Sequence, residues 1–366
     1  LTATAAIATA PGTPFELREV ELEAPRADEI VVDVHACGVC HTDVSVREQR
    51  LPTPLPAVLG HEGAGVVVAV GDAVTHVTIG DRVGLSYDSC GVCSTCTTGT
   101  PAHCHEHFPR NFFAARPDGT TALTCGGEPI HSHFFGQSSF ATRALAHGRT
   151  AFRLPDDVPF EIVAPFGCGI QTGAGTVLNV LEPAAGSTLA VFGAGTVGIS
   201  AMLAGGIAGC AHIVAVDVNP QRLALAAELA TATTIDASAS DPVEAIRELT
   251  GGGVDYAIDC TGVPTVLAQA LAATAPLGTT AIVGSPPAGS TLPLDIIEMI
   301  VSGKRVLGAA EGHSVPAVFI PQLLEHWRAG RFPVDRLMQT FAFDDINEAI
   351  DGAHHGDVIK PVLVMV

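Results

Sequence analysis

From Ala5 to about Leu154 the hydrophobic residues fall in short, β-branched runs such as Ile30 to Val34 and Gly65 to Val70, separated by Pro and Gly turns. Runs of that length and chemistry predict an antiparallel or barrel-like β domain. Near Gly173 the rhythm changes. A helical stretch to Leu181 is followed by the apolar run Thr188 to Phe192, a Gly-rich turn, another helix and the run Ile213 to Val216. Strand-like runs recur at Tyr256 to Asp259 and Thr280 to Val283, an alternation that predicts a doubly wound parallel sheet. After about Gly308 a helical segment, Ala317 to Ala329, and a last strand, Val362 to Val366, are expected.

A chain of 366 residues is long enough for two cores. The expected fold class is α/β: a β-rich domain built from residues 1–168 and 310–366, and a doubly wound domain over 169–309. The active site is then expected in the cleft between domains. The formal net charge of −20, with Lys304 and Lys360 as the only lysines, argues against nucleic acid and anionic membranes as partners. No apolar run reaches the roughly eighteen residues of a membrane span. Leu1 to Thr13 lacks a basic flank before a long apolar stretch, so no secretory signal is expected and a cytoplasmic enzyme is the default.

Cys90, Cys93, Cys96 and Cys104 form the pattern C-x-x-C-x-x-C-x7-C, a spacing that wraps one lobe around a single zinc ion. Four thiolates leave no position for substrate, so this metal is structural. A pair of disulfides is disfavoured by the short Cys90 to Cys93 separation. His103, His105 and His107 crowd the lobe and are expected to be solvated, while Cys37, Cys125, Cys210 and Cys260 fit no ligand spacing.

The hexamer Gly193-Ala194-Gly195-Thr196-Val197-Gly198 is G-x-G-x-x-G between a predicted strand and a predicted helix. Gly193 permits the turn, Gly195 lets the backbone approach a pyrophosphate at the helix N-terminus, and Gly198 allows close helix packing. Asp217, ending the next strand, can accept hydrogen bonds from ribose hydroxyls and repel a 2′-phosphate, which selects NAD over NADP. Arg222 either contacts the adenosine end or is a solvated helix residue.

Gly60-His61-Glu62, continued by Gly65, Gly71 and Val74, together with Cys40-His41-Thr42-Asp43 before it and Gly167-Cys168-Gly169 after it, resembles the zinc-dependent medium-chain alcohol dehydrogenases over essentially the whole chain. The resemblance implies a GroES-like catalytic domain and a Rossmann-type coenzyme domain. It also implies two zinc ions per chain, the catalytic one held by Cys40, His61 and Cys168 with a fourth position open. Glu62 corresponds to the acidic residue behind that metal, and Asp43 to the carboxylate that orients the histidine ligand. Thr42 would accept the alcohol proton, Thr172 and Val197 would press on the nicotinamide, and His41 and Lys360 would face the pyrophosphate. Ser45 stands where many members carry a proton-relay histidine, so the proton leaves by another route, through His41 or water.

Ser86 occupies a position where related enzymes often place a large aromatic, which implies a wider inner pocket faced by Tyr87, Phe134 and Phe135. The segments 135–141 and 311–316 look like those of bacterial aryl-alcohol (benzyl alcohol) dehydrogenases, and an allylic terpene alcohol dehydrogenase of the geraniol type is the main alternative. A non-catalytic or zinc-free reductase relative is a further one. Family resemblance implies a homo-oligomer, dimer or tetramer, built on edge strands of the coenzyme domains.

Overall fold

The run Glu29–Gly38, EIVVDVHACG, is buried along most of its length, as its near-continuous apolar sequence requires, and it is the most heavily paired strand of the first unit. In the computed structural model, which describes residues 1–365, this unit comprises Leu1–Cys168, Val315–Pro321 and residues 335–365. Its larger sheet runs in the order Ala151–Arg153, Arg82–Leu85, Gly63–Val70, Glu29–Gly38, Lys360–Val364, Met338–Ala342, with Arg143–His147 also paired to Glu29–Gly38. The pairings are antiparallel except the last, between Met338–Ala342 and Lys360–Val364. A second sheet orders Ala57–Val58, Thr2–Ala8, Glu16–Leu22, Leu123–Cys125 and Glu128–Ile130. In Glu16–Leu22, Val20 and Leu22 turn into the core while Glu19 and Glu21 face water, the period-2 signature of a half-buried strand. Ile7, Leu59, Phe134 and Phe140 are fully buried in the core between these elements.

Register matters for the chemistry. Lys360–Val364 pairs with Glu29–Gly38 so that Val362 lies opposite Gly38, which carries Lys360 to the end of that strand. There its ammonium donates to the Val39 carbonyl at 3.0 Å. This strand begins two residues earlier than the sequence pattern predicts, and Val366 lies outside the described residues.

The second unit, Gly169–Ser314 with Gln322–Val334, is built on a six-stranded parallel sheet. Its order is Thr233–Asp236, His212–Asp217, Thr188–Phe192, Val254–Asp259, Thr274–Ile282, Arg305–Gly308. The strand order reverses beside Thr188–Phe192, the point at which such sheets bind dinucleotides. The predicted helix to Leu181 is present as Gly169–Gly175 continued by a wider π turn, Thr176–Leu181.

The return to the first unit differs from the expected residue 310. Residues 310–314 stay with the second unit, where Ser314 Oγ donates to Gln171 Oε1 at 2.7 Å and Asn179 Nδ2 donates to the Gly312 carbonyl at 3.0 Å. Residues 322–334 belong to it as well. No helix among the described residues is long and apolar enough to cross a membrane.

Candidate metal centre and dinucleotide site

Asp43, fully buried in the short helix His41–Arg47, ties the start of that helix to the segment Gly60-His61. Its Oδ2 accepts from the Cys40 backbone N–H at 3.0 Å, and its Oδ1 accepts from the Gly60 N–H and from His61 Nδ1, each at 3.0 Å. Donation from Nδ1 fixes the tautomer of His61 and leaves the lone pair on Nε2. That Nε2 is buried and has no hydrogen-bond partner. The donor atoms of Cys40, His61, Glu62 and Cys168 lie within 4.8 Å of one another. A buried basic nitrogen without a partner is costly unless something binds it, and two thiols and an imidazole are a donor set that suits zinc.

Hydrogen bonding with Cys168, against the opposing effect of burial, and the neighbouring His61 hold the Cys40 thiol well below its usual range, toward the thiolate a metal requires. Glu62 is itself a member of this cluster. Its carboxylate is pushed up to about 7 by burial, although Lys360 pulls the other way. Lys360 Nζ pairs with Glu62 Oε2 at 2.5 Å. Gly38 makes the arrangement possible, since a Cβ there would overlap the Glu62 carboxylate. The ammonium of Lys360, buried between Glu62 and Val39, is thus directed inward rather than into the open position that a pyrophosphate contact implies.

The four-cysteine lobe is assembled without disulfides. Sulfur separations are 3.5 Å for Cys93 and Cys96, 3.9 Å for Cys90 and Cys96, and 4.0 Å for Cys93 and Cys104. A tetrahedron with metal–sulfur bonds of about 2.3 Å has edges of about 3.8 Å, so the lobe is shaped to hold one zinc ion. Backbone N–H groups of Cys90 and Cys93 point at sulfur, at 3.2 Å to Cys104 and 3.3 Å to Cys90, and stabilise thiolate charge. His103 and His105 are exposed as expected. His107 is not: its half-buried ring lies 6.1 Å from that of Tyr87, and burial lowers its pKa.

In the second unit Gly193 has φ of +96°, and a Cβ on Gly198 would strike the Gly193 carbonyl. Gly195, the N-cap of helix Thr196–Ala208, meets nothing within 4 Å of the position a Cβ would take, which leaves the helix N-terminus open to a phosphate. Asp217 closes strand His212–Asp217. It accepts from the Ala194 N–H at 2.6 Å and from the N–H groups of Val218 and Asn219 at 2.8 and 2.9 Å, tying the glycine loop to the strand end. Thr172 Oγ1 donates to Glu311 Oε2 at 3.3 Å, and Val197 lies in the first turn of the helix, with its carbonyl against Gly173. Arg222 follows the Asn219 cap, with its Nε buried and without a partner.

The four residues expected around the substrate are all buried. Phe135 stacks on the His61 ring at 4.4 Å and Phe134 meets it edge-on at 5.5 Å. Ser86 departs from expectation: its hydroxyl donates to the Gly167 carbonyl at 2.6 Å, so it braces the segment leading to Cys168 instead of lining open space. Sequence reasoning missed the inward direction of Lys360, the Glu311 contact with Thr172, and Gln137, whose amide reaches the His61 carbonyl at 2.9 Å. The one available signal was the polar stretch Gly136-Gln137-Ser138-Ser139 between Phe134-Phe135 and Phe140-Ala141.

Residues 26–156 match the alcohol dehydrogenase GroES-like domain and residues 196–326 match the zinc-binding dehydrogenase domain. The chain belongs to the zinc-type medium-chain alcohol dehydrogenase family. It is 43% identical over its whole length to geraniol dehydrogenase of Castellaniella defragrans, covering 98% of that protein. Among solved structures it is similar to benzyl alcohol dehydrogenase from Acinetobacter calcoaceticus, with 43% identity, full coverage of both chains and a TM-score of 0.97. An alcohol dehydrogenase zinc-binding domain protein from Burkholderia ambifaria matches at 48% identity and a TM-score of 0.98, over all of this chain and 99% of its own.

Proposed function

We propose that this alcohol dehydrogenase interconverts a primary aromatic, benzyl-type alcohol and its aldehyde with NAD, using one catalytic and one structural zinc ion. The observation that carries the reading is His61, pinned at Nδ1 by Asp43 and bare at Nε2 beside Cys40 and Cys168. When bound, zinc supplies Lewis acidity at the alcohol oxygen and NAD supplies the hydride acceptor. Thr42, 3.6 Å from the Cys40 sulfur, accepts the hydroxyl proton. With Ser45 buried at the position of the usual relay histidine, exposed His41 or water passes that proton to solvent. Asp43 holds the histidine ligand in one tautomer, and Glu62 serves metal exchange while Lys360 balances its charge. His41 also serves the pyrophosphate.

Phe134 and Phe135 against His61 support a flat, conjugated substrate, because aromatic faces and edges favour one. An allylic, geraniol-type alcohol is the second reading, favoured by the whole-length relative of that activity. Initial rates with NAD over benzylic, allylic and aliphatic alcohols test the function, and no NAD-dependent turnover with any of them would sink it.

Asp217 selects the cofactor. Replacing it with glycine removes acceptors for the ribose hydroxyls and the charge that opposes a 2′-phosphate, so kcat/KM for NAD is expected to fall roughly tenfold to a hundredfold relative to NADP. Equal efficiency of the unaltered enzyme with both cofactors contradicts the assignment.

A homo-oligomer is proposed through the far edge of the coenzyme sheet. Strand Arg305–Gly308 is paired on one side only, and Leu277, Ile296, Ile297, Ile300 and Val301 are all exposed in the sequence around it. Light scattering that gave the mass of a single chain at micromolar concentration would remove this proposal.

A further inference from the structure

The loop 133–138 is wound with unusual cost. His133, Phe135 and Ser138 have φ of +66°, +53° and +56°, a region that side chains other than glycine avoid. Such a conformation persists only when its surroundings over-determine it, and here they do. His133 Nε2 lies 3.1 Å from the buried Glu29 carboxylate, and Ser138 Oγ donates to the Val58 carbonyl at 2.6 Å. Between these anchors Gln137 is completely buried, and each hydrogen-bonding position of its amide is filled. Nε2 donates to the carbonyls of His61 and Ser86, both at 2.9 Å. Oε1 accepts from the Gly63 N–H at 3.1 Å and from Ser139 Oγ at 2.6 Å.

The partners fix which way the amide faces, since carbonyls only accept and the Gly63 N–H only donates. Gln137 therefore grips the backbone on both sides of Glu62, at His61 and at Gly63. It joins that segment to Ser86, whose hydroxyl in turn braces Gly167 beside Cys168. The same loop carries Phe135, stacked on the His61 imidazole. Asp43 sets the ring from one nitrogen; the loop sets the backbone and one ring face.

We propose that Gln137 is a positioning residue for the catalytic metal. Through the His61 carbonyl and the Ser86 to Gly167 link, its amide holds two of the three metal-binding segments in register. The inference rests on the reading of Cys40, His61 and Cys168 as a metal site. Gln137→Glu is nearly isosteric but turns a carboxylate oxygen toward two carbonyls, so it attacks the register without opening a cavity.

The test is metal affinity and coordination rather than activity. In Gln137→Glu, competition with a chelator should show the affinity of the three-ligand site weakened roughly 10- to 100-fold, with the four-cysteine site unchanged. With cobalt(II) in place of zinc, the visible ligand-field bands of the three-ligand site should shift. Val20→Ala, which opens the core far along the chain in strand Glu16–Leu22, should lower the melting temperature without moving those bands. If Gln137→Glu does not fold, Ser139→Ala, which removes one donor to Oε1, should shift affinity and spectrum in the same direction by less. Unchanged affinity and spectrum in the folded variant overturn the role of Gln137. Parent protein that binds metal only at the four cysteines overturns the underlying site instead.

Discussion

Cys40→Ser is expected to lower kcat/KM for alcohol oxidation by roughly three powers of ten or more, with the far-ultraviolet circular dichroism of the parent retained. Losing a thiolate from a three-ligand site empties it, and Lewis-acid stabilisation worth several kcal/mol goes with the metal. The fold tolerates the change because Cys40 caps a short helix whose other anchors, Asp43 to Gly60 and to His61, stay in place. Cys93→Ser should behave in the opposite way. It removes one corner of the four-cysteine lobe, where metal binding and local folding are one free energy, so the melting temperature falls while molecules that remain folded keep their turnover. Kinetics and thermal melts of the two variants side by side check this pair, and the reverse pattern would mean that the roles of the two sites are exchanged.

Benzyl alcohol should be preferred to ethanol by a large margin in kcat/KM. About five additional carbons, each contributing roughly 0.8 kcal/mol when fully buried, amount to about 4 kcal/mol, or close to a thousandfold. Phe134 and Phe135 are the named aromatic faces, and their packing on His61 places them beside a proposed metal ligand. Conjugation stabilises the aldehyde product as well, so cyclohexylmethanol belongs in the panel to separate fit from electronics, and geraniol to separate ring from chain. Ethanol oxidised as efficiently as benzyl alcohol would remove the aromatic-substrate reading and leave the zinc dehydrogenase assignment standing.

The parts legible in the sequence are those whose physics is local. Thr188–Phe192 and the Ile213 to Val216 part of the next strand are continuous apolar runs because a parallel strand is covered on both faces. Gly193 and Gly198 stand where a side chain would be strained or would strike the backbone, and four cysteines close in sequence can fold around one ion with little long-range help.

What the sequence hides depends on distant register. Lys360 meets Glu62 because strand Lys360–Val364 pairs with Glu29–Gly38, and nothing near residue 360 announces that partner. Gln137 bonds to backbone atoms more than fifty positions away, which no residue pattern encodes. Ser86 reads as vacant space until its hydroxyl is seen on Gly167. The coenzyme unit keeps residues 310–314 through a few polar contacts to Gln171 and Asn179, too specific for hydrophobic rhythm to reveal.

Zinc per chain, counted by elemental mass spectrometry on metal-replete protein and on Cys40→Ser, tests most directly the claim that one chain carries a structural and a catalytic metal. Two ions in the parent and one in the variant are expected; one or none in the parent, or two retained in the variant, would contradict it.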